Sequence, residues 1–204
     1  MFVIGLTGGI ASGKSTVSLL LKDKGAVIID ADEIGKQILK PGKAARIKVI
    51  EHFGQQILNE KKDIDRKKLA DLVFSNKKEL EFLNSVTHPE IINEIKAQLQ
   101  YYRNLKTAVV IIDAALLIEV GLHTIVDEVW LVTVDEDTQL ERLMAREKHL
   151  RMEQAISRIK AQMPQHEKIK YADRVIDNNG SIEDTKNQVD KIWREISQRW
   201  QKEL

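Results

Sequence analysis

The segment Gly8-Gly9-Ile10-Ala11-Ser12-Gly13-Lys14-Ser15 constrains this chain more than any other part of it. It fits the spacing G-x-x-x-x-G-K-[ST], which chance produces in a chain of this length about once in a hundred. Phe2 to Leu6, just before it, is a short apolar run of the kind a buried parallel strand requires. Lys14 to Lys24, just after it, places Val17, Leu20 and Leu21 at helical spacing, with Gly25 as a stop. Ala26 to Asp30 reads as a second buried strand, so the chain opens with a βαβ unit. The residue types of the loop suit one task, holding a polyphosphate. Glycines let the backbone wrap closely with its N–H groups turned inward, and the helix N-terminus adds a favourable dipole. Lys14 can neutralise β and γ oxygens, and the Ser15 hydroxyl, with Thr16 beside it, suits Mg²⁺. Nucleotide binding follows from this segment; a reaction does not.

From about Lys40 to Arg103 no strand-like run occurs. The segment is helix-periodic, punctuated at Pro41-Gly42, Gly54 and Pro89, and carries 13 Lys/Arg against 9 Asp/Glu, net +4. It reads as a helical insertion whose charges are mostly solvated faces. Strands resume at Ala108–Asp113 and Glu128–Val134, with a short fifth at Arg174–Asp177. Between the last two lies a polar helical stretch, Thr138 to Tyr171, with few large apolar anchors and with Arg142, Arg146, Arg151 and Arg158. The final helix opens with the capping sequence Ser181-Ile182-Glu183-Asp184 and sets Ile182, Val189, Trp193, Ile196 and Trp200 on one packing face.

Three further features bear on chemistry. Asp30 and Asp32 follow the second strand, where ligands of a doubly wound sheet collect; they can orient or deprotonate a hydroxyl, or simply cap the next helix. Asp113 ends the third strand, as an acid holding Mg²⁺ through water would, or as an ordinary strand-end carboxylate. Arg142 and Arg146 share a helix face, where two guanidiniums can clamp a phosphoryl group or serve as surface charges.

Composition removes several classes. The 204 residues contain no cysteine, which excludes disulfide scaffolds, Cys-ligated zinc and thiol catalysis. The net charge of +1 argues against a bulk nucleic-acid binder. No signal peptide or membrane-length apolar run is found, so a cytoplasmic location is expected.

Five blocks taken together resemble the dephospho-CoA kinase family. They are Gly5 to Thr16, Asp30-Ala31-Asp32, Pro41-Gly42, Thr87-His88-Pro89-Glu90, and Ala172-Asp173 through Ile176-Asp177-Asn178-Asn179-Gly180. Leu116 to Glu119, Gln139 to Leu143, Arg146, and Arg158 to Gln162 add to the likeness. The resemblance implies an α/β fold of the P-loop NTPase type, a doubly wound parallel five-stranded sheet with a helical insertion and a helical lid. The core would be 1–39, 104–137 and 172–204, the acceptor-binding insertion 40–103, and the lid 138–171. It implies Mg·ATP as donor and dephospho-CoA as acceptor; a monomer with no nucleic-acid or membrane partner is expected. Gly9, Ala11, Ser12, Gly13, Lys14, Ser15 and Thr16 would cradle ATP, with Arg146 near its adenine and Asn178 and Asn179 lining the adenine pocket. Lys14, Asp32 and Arg142 would be catalytic, Asp32 as base for the acceptor 3′-hydroxyl; His88 would lie on the acceptor side; Ser15 and, through water, Asp113 would hold Mg²⁺.

The chain departs from the family pattern in three places. Ala11 stands where many members have glycine and is expected at negative φ; Ala115 replaces a proline before Leu-Leu; Lys36-Gln37 replaces a frequent arginine. Three other readings fit the residues less well. A nucleoside monophosphate kinase would lack the Asp-Ala-Asp and His-Pro blocks. A GTP-dependent switch is echoed only by Asn76-Lys77-Lys78-Glu79. A non-catalytic ATP-binding module sits poorly with intact Lys14, Asp32 and Arg142.

Overall fold

The structure is a computed structural model that describes residues 1–200; the side chains of residues 74, 75, 199 and 200 lie outside the description, and with them the packing expected of Trp200. The elements in chain order are β1 (Phe2–Gly8), α1 (Lys14–Asp23), β2 (Val27–Asp30), α2 (Ala31–Gln37), α3 (Ala44–Phe53), α4 (Arg66–Ser75), α5 (Lys77–Asn104), β3 (Val109–Asp113), β4 (Glu128–Thr133), α6 (Glu136–Arg146), α7 (Met152–Lys160), α8 (Gln165–Lys168), β5 (Arg174–Asp177) and α9 (Ile182–Trp200). Contacts divide the chain into two compact units, residues 1–29 with 101–204, and residues 30–100.

The strands form one parallel sheet in the order β2-β3-β1-β4-β5. β1 is central and in register with both neighbours, Leu6 beside Asp113 and Thr7 beside Leu131. The three inner strands β1, β3 and β4 are buried along nearly their whole length, which is why they read as apolar runs. One face carries Ile4, Leu6, Val109, Ile111, Trp130, Val132 and Ile176, packed with Val17 and Leu21 of α1 and Val189, Ile192 and Ile196 of α9. Trp130 is fully buried and its indole N–H donates to Glu128, 3.0 Å away. Truncating a side chain of that size costs about 3–5 kcal/mol.

Ser181 and Asp184 cap α9 reciprocally, Ser181 N–H on the Asp184 carboxylate at 2.9 Å and Asp184 N–H on the Ser181 hydroxyl at 3.2 Å. Val189 and Ile196 are buried, and Trp193 packs against the same core. Ile182 departs from the expected stripe: it is 71% exposed, and burial on α9 begins one turn later, at Thr185.

Residues 30–100 have their own core of Val49, Phe53, Ile57, Leu69 and Val73, with Leu80, Phe82, Leu83 and Val86 against it. Pro89 does not punctuate there; it lies inside the 28-residue α5. A proline in a helix interior forfeits one hydrogen bond and costs about 3 kcal/mol. Burial of Thr87, Ile95 and Leu99 on the same helix offsets that cost. Asn76-Lys77-Lys78-Glu79 is the start of α5: the Asn76 side chain accepts from Lys78 N–H at 3.0 Å, and Glu79 pairs with His52 at 2.6 Å.

Candidate active site

The loop between β1 and α1 is a cradle of unspent donors. Ser12 N–H closes a turn on Gly9 C=O at 3.0 Å, and Thr16 N–H bonds Gly13 C=O at 2.9 Å. Among the described residues, the N–H groups of Ala11, Gly13, Lys14 and Ser15 have no hydrogen-bond partner. Gly13 is the N-cap of α1 at φ +89°, and no side chain caps the helix. Free N–H groups and a helix N-terminus together favour an anion. The Lys14 ammonium forms an ion pair with the Asp113 carboxylate, itself mostly buried at the end of β3. Gly8 is needed because a Cβ there would stand 2.5 Å from Ser12 Oγ and 2.8 Å from Val132 C=O.

Ala11 contradicts its expected backbone. It lies at φ +59°, in the left-handed region, so alanine occupies a position that favours glycine. Its side chain, with that of Ile10, packs against the apolar cluster Leu143, Leu150 and Ala155 formed by the segment after β4. That segment therefore has more apolar anchorage than its composition suggests, because the phosphate loop itself supplies part of the floor.

Asn178 follows β5 and spends its amide on the loop. Its Nδ2 donates to Ser12 C=O at 2.7 Å and its Oδ1 accepts from the buried Thr185 hydroxyl at 2.7 Å. Asn179 is turned elsewhere, accepting from Asp135 N–H at 2.9 Å and donating to Asp177 at 2.7 Å. Ala115, in place of proline, is fixed from outside: its carbonyl accepts from the Thr7 hydroxyl at 3.2 Å and from Lys168 Nζ at 2.7 Å. Lys168 is only 1% exposed and pairs with Glu119 at 2.9 Å, which in turn accepts from Met163 N–H at 3.1 Å. Sequence reasoning singles out neither Lys168, whose partners Ala115 and Glu119 are distant in the chain, nor Thr185, whose bond to Asn178 crosses the turn between β5 and α9.

Arg142 and Arg146 both lie on α6. Arg142 is half-buried and, among the described residues, has no hydrogen-bond or ion-pair partner. Arg146 reaches Glu147 at 3.0 Å, and Arg158 of α7 reaches the same carboxylate. Partial burial of Glu147 acts to raise its pKa, but the two guanidiniums outweigh that and hold it below the usual carboxylate value.

In the second unit, Asp30 is the N-cap of α2, accepting from Glu33 N–H at 2.8 Å. Asp32 is exposed in the first turn of the same helix. Lys36 and Gln37 both bond Glu33, at 2.9 and 2.7 Å. His88 is partly buried in α5, and burial lowers its pKa from the usual imidazole value. A Cβ on Gly35 would touch Ile91 at 3.4 Å, so α2 passes α5 closely there; Asp32 and His88 each stand three residues before that contact.

The model of the family described as dephospho-CoA kinase matches residues 2–184. A dephospho-CoA kinase of Carboxydothermus hydrogenoformans is 50% identical over 198 residues, 97% of this chain and 94% of that protein. Among solved structures, the dephospho-CoA kinase from Campylobacter jejuni superposes with a TM-score of 0.71 at 32% identity, covering 96% of this chain and 97% of the other. A shikimate kinase from Acinetobacter baumannii, at 16% identity and a TM-score of 0.56 over 98% of this chain and 94% of the other, shares the P-loop kinase fold. The chain therefore belongs to the dephospho-CoA kinase family, transferases of the final step of coenzyme A biosynthesis.

Proposed function

We propose that the chain transfers the γ-phosphoryl group of ATP to the ribose 3′-hydroxyl of dephospho-CoA, giving coenzyme A and ADP. The observation that carries this reading is the set of open N–H groups of Ala11, Gly13, Lys14 and Ser15, with the Lys14 side chain resting on Asp113, in a chain of this family. An arriving triphosphate offers Lys14 a denser negative charge than one carboxylate does, so Lys14 moves to the β and γ oxygens. Gly9 and Ala11 to Thr16 hold the phosphates. The partner-free Arg142 stabilises charge on the transferring group, Arg146 serves the adenine end, and Asn178 and Asn179 shape that pocket. Asp32 accepts the proton of the acceptor hydroxyl or orients it, and His88 serves the acceptor side.

Among the described residues no cluster of His, Cys, Asp or Glu could hold a metal unaided. The Ser15 hydroxyl and the Asp113 carboxylate are nevertheless oxygen donors of the kind Mg²⁺ takes alongside waters and phosphates, so these residues fit the ion. Bound there, Mg²⁺ would neutralise phosphate charge.

We assign the nucleotide core to residues 1–39, 104–137 and 172–204, the lid to 138–171 and the acceptor site to 40–103, whose net charge of +4 suits a diphosphate. No described helix is long and apolar enough to cross a membrane. We further propose that the chain works in the cytoplasm as a monomer. An ADP-release assay, with mass spectrometry locating the new phosphate, tests the reaction: dephospho-CoA should react far faster than AMP, CMP, UMP or shikimate. AMP outcompeting dephospho-CoA at equal concentration would replace this reading with a nucleoside monophosphate kinase.

A further inference from the structure

Both main-chain polar groups of Ile10 are held by side chains from the segment that carries the arginines. Ile10 N–H donates to Gln162 Oε1 at 2.7 Å, and Ile10 C=O accepts from Gln139 Nε2 at 2.7 Å. The two glutamines use opposite ends of the same functional group, because one faces a donor and the other an acceptor. Gln139 is buried in α6, and Gln162 follows α7. The stretch between them carries Arg142, Arg146 and Arg158. A Cβ on Gly9 would stand 2.6 Å from Gln139 Nε2, so the loop sequence is itself fitted to this bond. The side chains of Ile10 and Ala11 add an apolar contact to Leu143, Leu150 and Ala155. Ile10 immediately precedes Ala11, the first of the unspent N–H donors.

We propose that Gln139 and Gln162 are positioning residues that clamp Ile10 from both sides, holding the phosphate cradle open and tying the seat of the arginine-bearing helices to the loop. The proposal rests on the reading of the loop as the ATP site. Its consequence is an asymmetry that simple packing does not produce. Glutamate at 162 keeps an acceptor toward Ile10 N–H. Glutamate at 139 sets a carboxylate against the Ile10 carbonyl, acceptor against acceptor.

The test compares Gln162→Ala, Gln162→Glu, Gln139→Ala and Gln139→Glu. Amide hydrogen exchange at Ile10 is measured without nucleotide, and KM for ATP and for dephospho-CoA is measured separately. Exchange at Ile10 should quicken by about tenfold in Gln162→Ala and Gln139→Glu and stay near wild type in Gln162→Glu. KM for ATP should rise by about tenfold in the first two, with KM for dephospho-CoA moving by less than about twofold. Equal exchange in Gln162→Ala and Gln162→Glu, or equal increases in both KM values, would overturn the clamp. If Gln139→Glu does not fold, the two Gln162 variants decide the question alone. If the wild type binds ATP but does not phosphorylate dephospho-CoA, the acceptor reading fails while exchange and ATP titration still judge the clamp.

Discussion

The Asn178 amide nitrogen occupies the space that a Cβ on residue 13 would need. Gly13 is thus constrained twice, by φ +89° and by a neighbour that bonds Ser12 and Thr185. Gly13→Ala should lose about 3–4 kcal/mol of stability, from left-handed strain of about 1–2 kcal/mol plus two displaced hydrogen bonds of about 1 kcal/mol each. Denaturant midpoints measure this. Combining Gly13→Ala with Asn178→Ala should cost less than the sum of the two, because the second change removes the obstacle to the first. Strict additivity would contradict the contact.

Lys14→Ala should fold normally, since alanine is a good helix former at the start of α1. Its turnover should fall by a factor of order 10²–10³, as for the loss of one preorganised donor on charge-bearing oxygens. Wild-type rates would remove Lys14 from the mechanism. Because Lys14 rests on Asp113, the mutation also leaves a mostly buried carboxylate without its cation. Thermal stability without nucleotide should therefore drop as well.

Ala11 offers a check on backbone geometry. Ala11→Gly relieves the strain at φ +59° but adds unfolded-chain entropy and loses a methyl contact with the Leu143 cluster. Net stability should stay within about 1 kcal/mol of wild type, and turnover should be little changed. Ala11→Val places a β-branched residue in the left-handed region and should be clearly worse in both respects. A Val variant as stable as wild type would contradict the positive φ.

Ala11 also marks how far the sequence can be read. The strands, the phosphate loop and the helical stretches were legible because short apolar runs and 3.6-residue spacing are local signals. The sign of φ at Ala11 is set by how the loop closes on Ser12 and by contacts with Leu143 and Ala155, residues far along the chain. Asn178 reaching Ser12, Gln162 reaching Ile10 and Lys168 reaching Glu119 are likewise tertiary pairings that no spacing rule encodes. Pro89 departs from its local signal for the opposite reason: a strong breaker is overridden by packing along α5.

Asp30 and Asp32 should separate cleanly. Asp30 caps α2, and asparagine caps nearly as well as aspartate, so Asp30→Asn should change stability and turnover little. Asp30→Ala should cost about 1 kcal/mol of stability. Asp32→Asn keeps the shape but replaces a base with a poor one. It should lower kcat by a factor of order 10²–10⁴ while ATP affinity stays near wild type. Pre-steady-state phosphate transfer and ATP titration measure the two effects. Equal losses in the two Asn variants, or a larger loss from Asp30→Asn, would reverse the role assignment.

The arginines of α6 differ in what holds them without ligand. Arg142 has no partner among the described residues, whereas Arg146 shares Glu147 with Arg158. A guanidinium without a partner can meet developing charge on a phosphoryl group without first breaking a bond. Arg142→Ala should therefore act mainly on kcat, with a loss of order 10²–10³. Arg146→Ala leaves Glu147 paired with Arg158, so the segment should keep its fold and the loss should fall on apparent ATP affinity. Hydrogen exchange over residues 138–160, with and without an ATP analogue, examines the motion that brings these residues to the nucleotide. Protection should rise on binding, since closure over phosphates buries backbone that is exposed beforehand. The apolar contact of Ile10 and Ala11 with Leu143, Leu150 and Ala155 means the rise should be smallest at those buried positions and largest at the exposed residues 151–154. Unchanged protection throughout that range would show that the segment does not close.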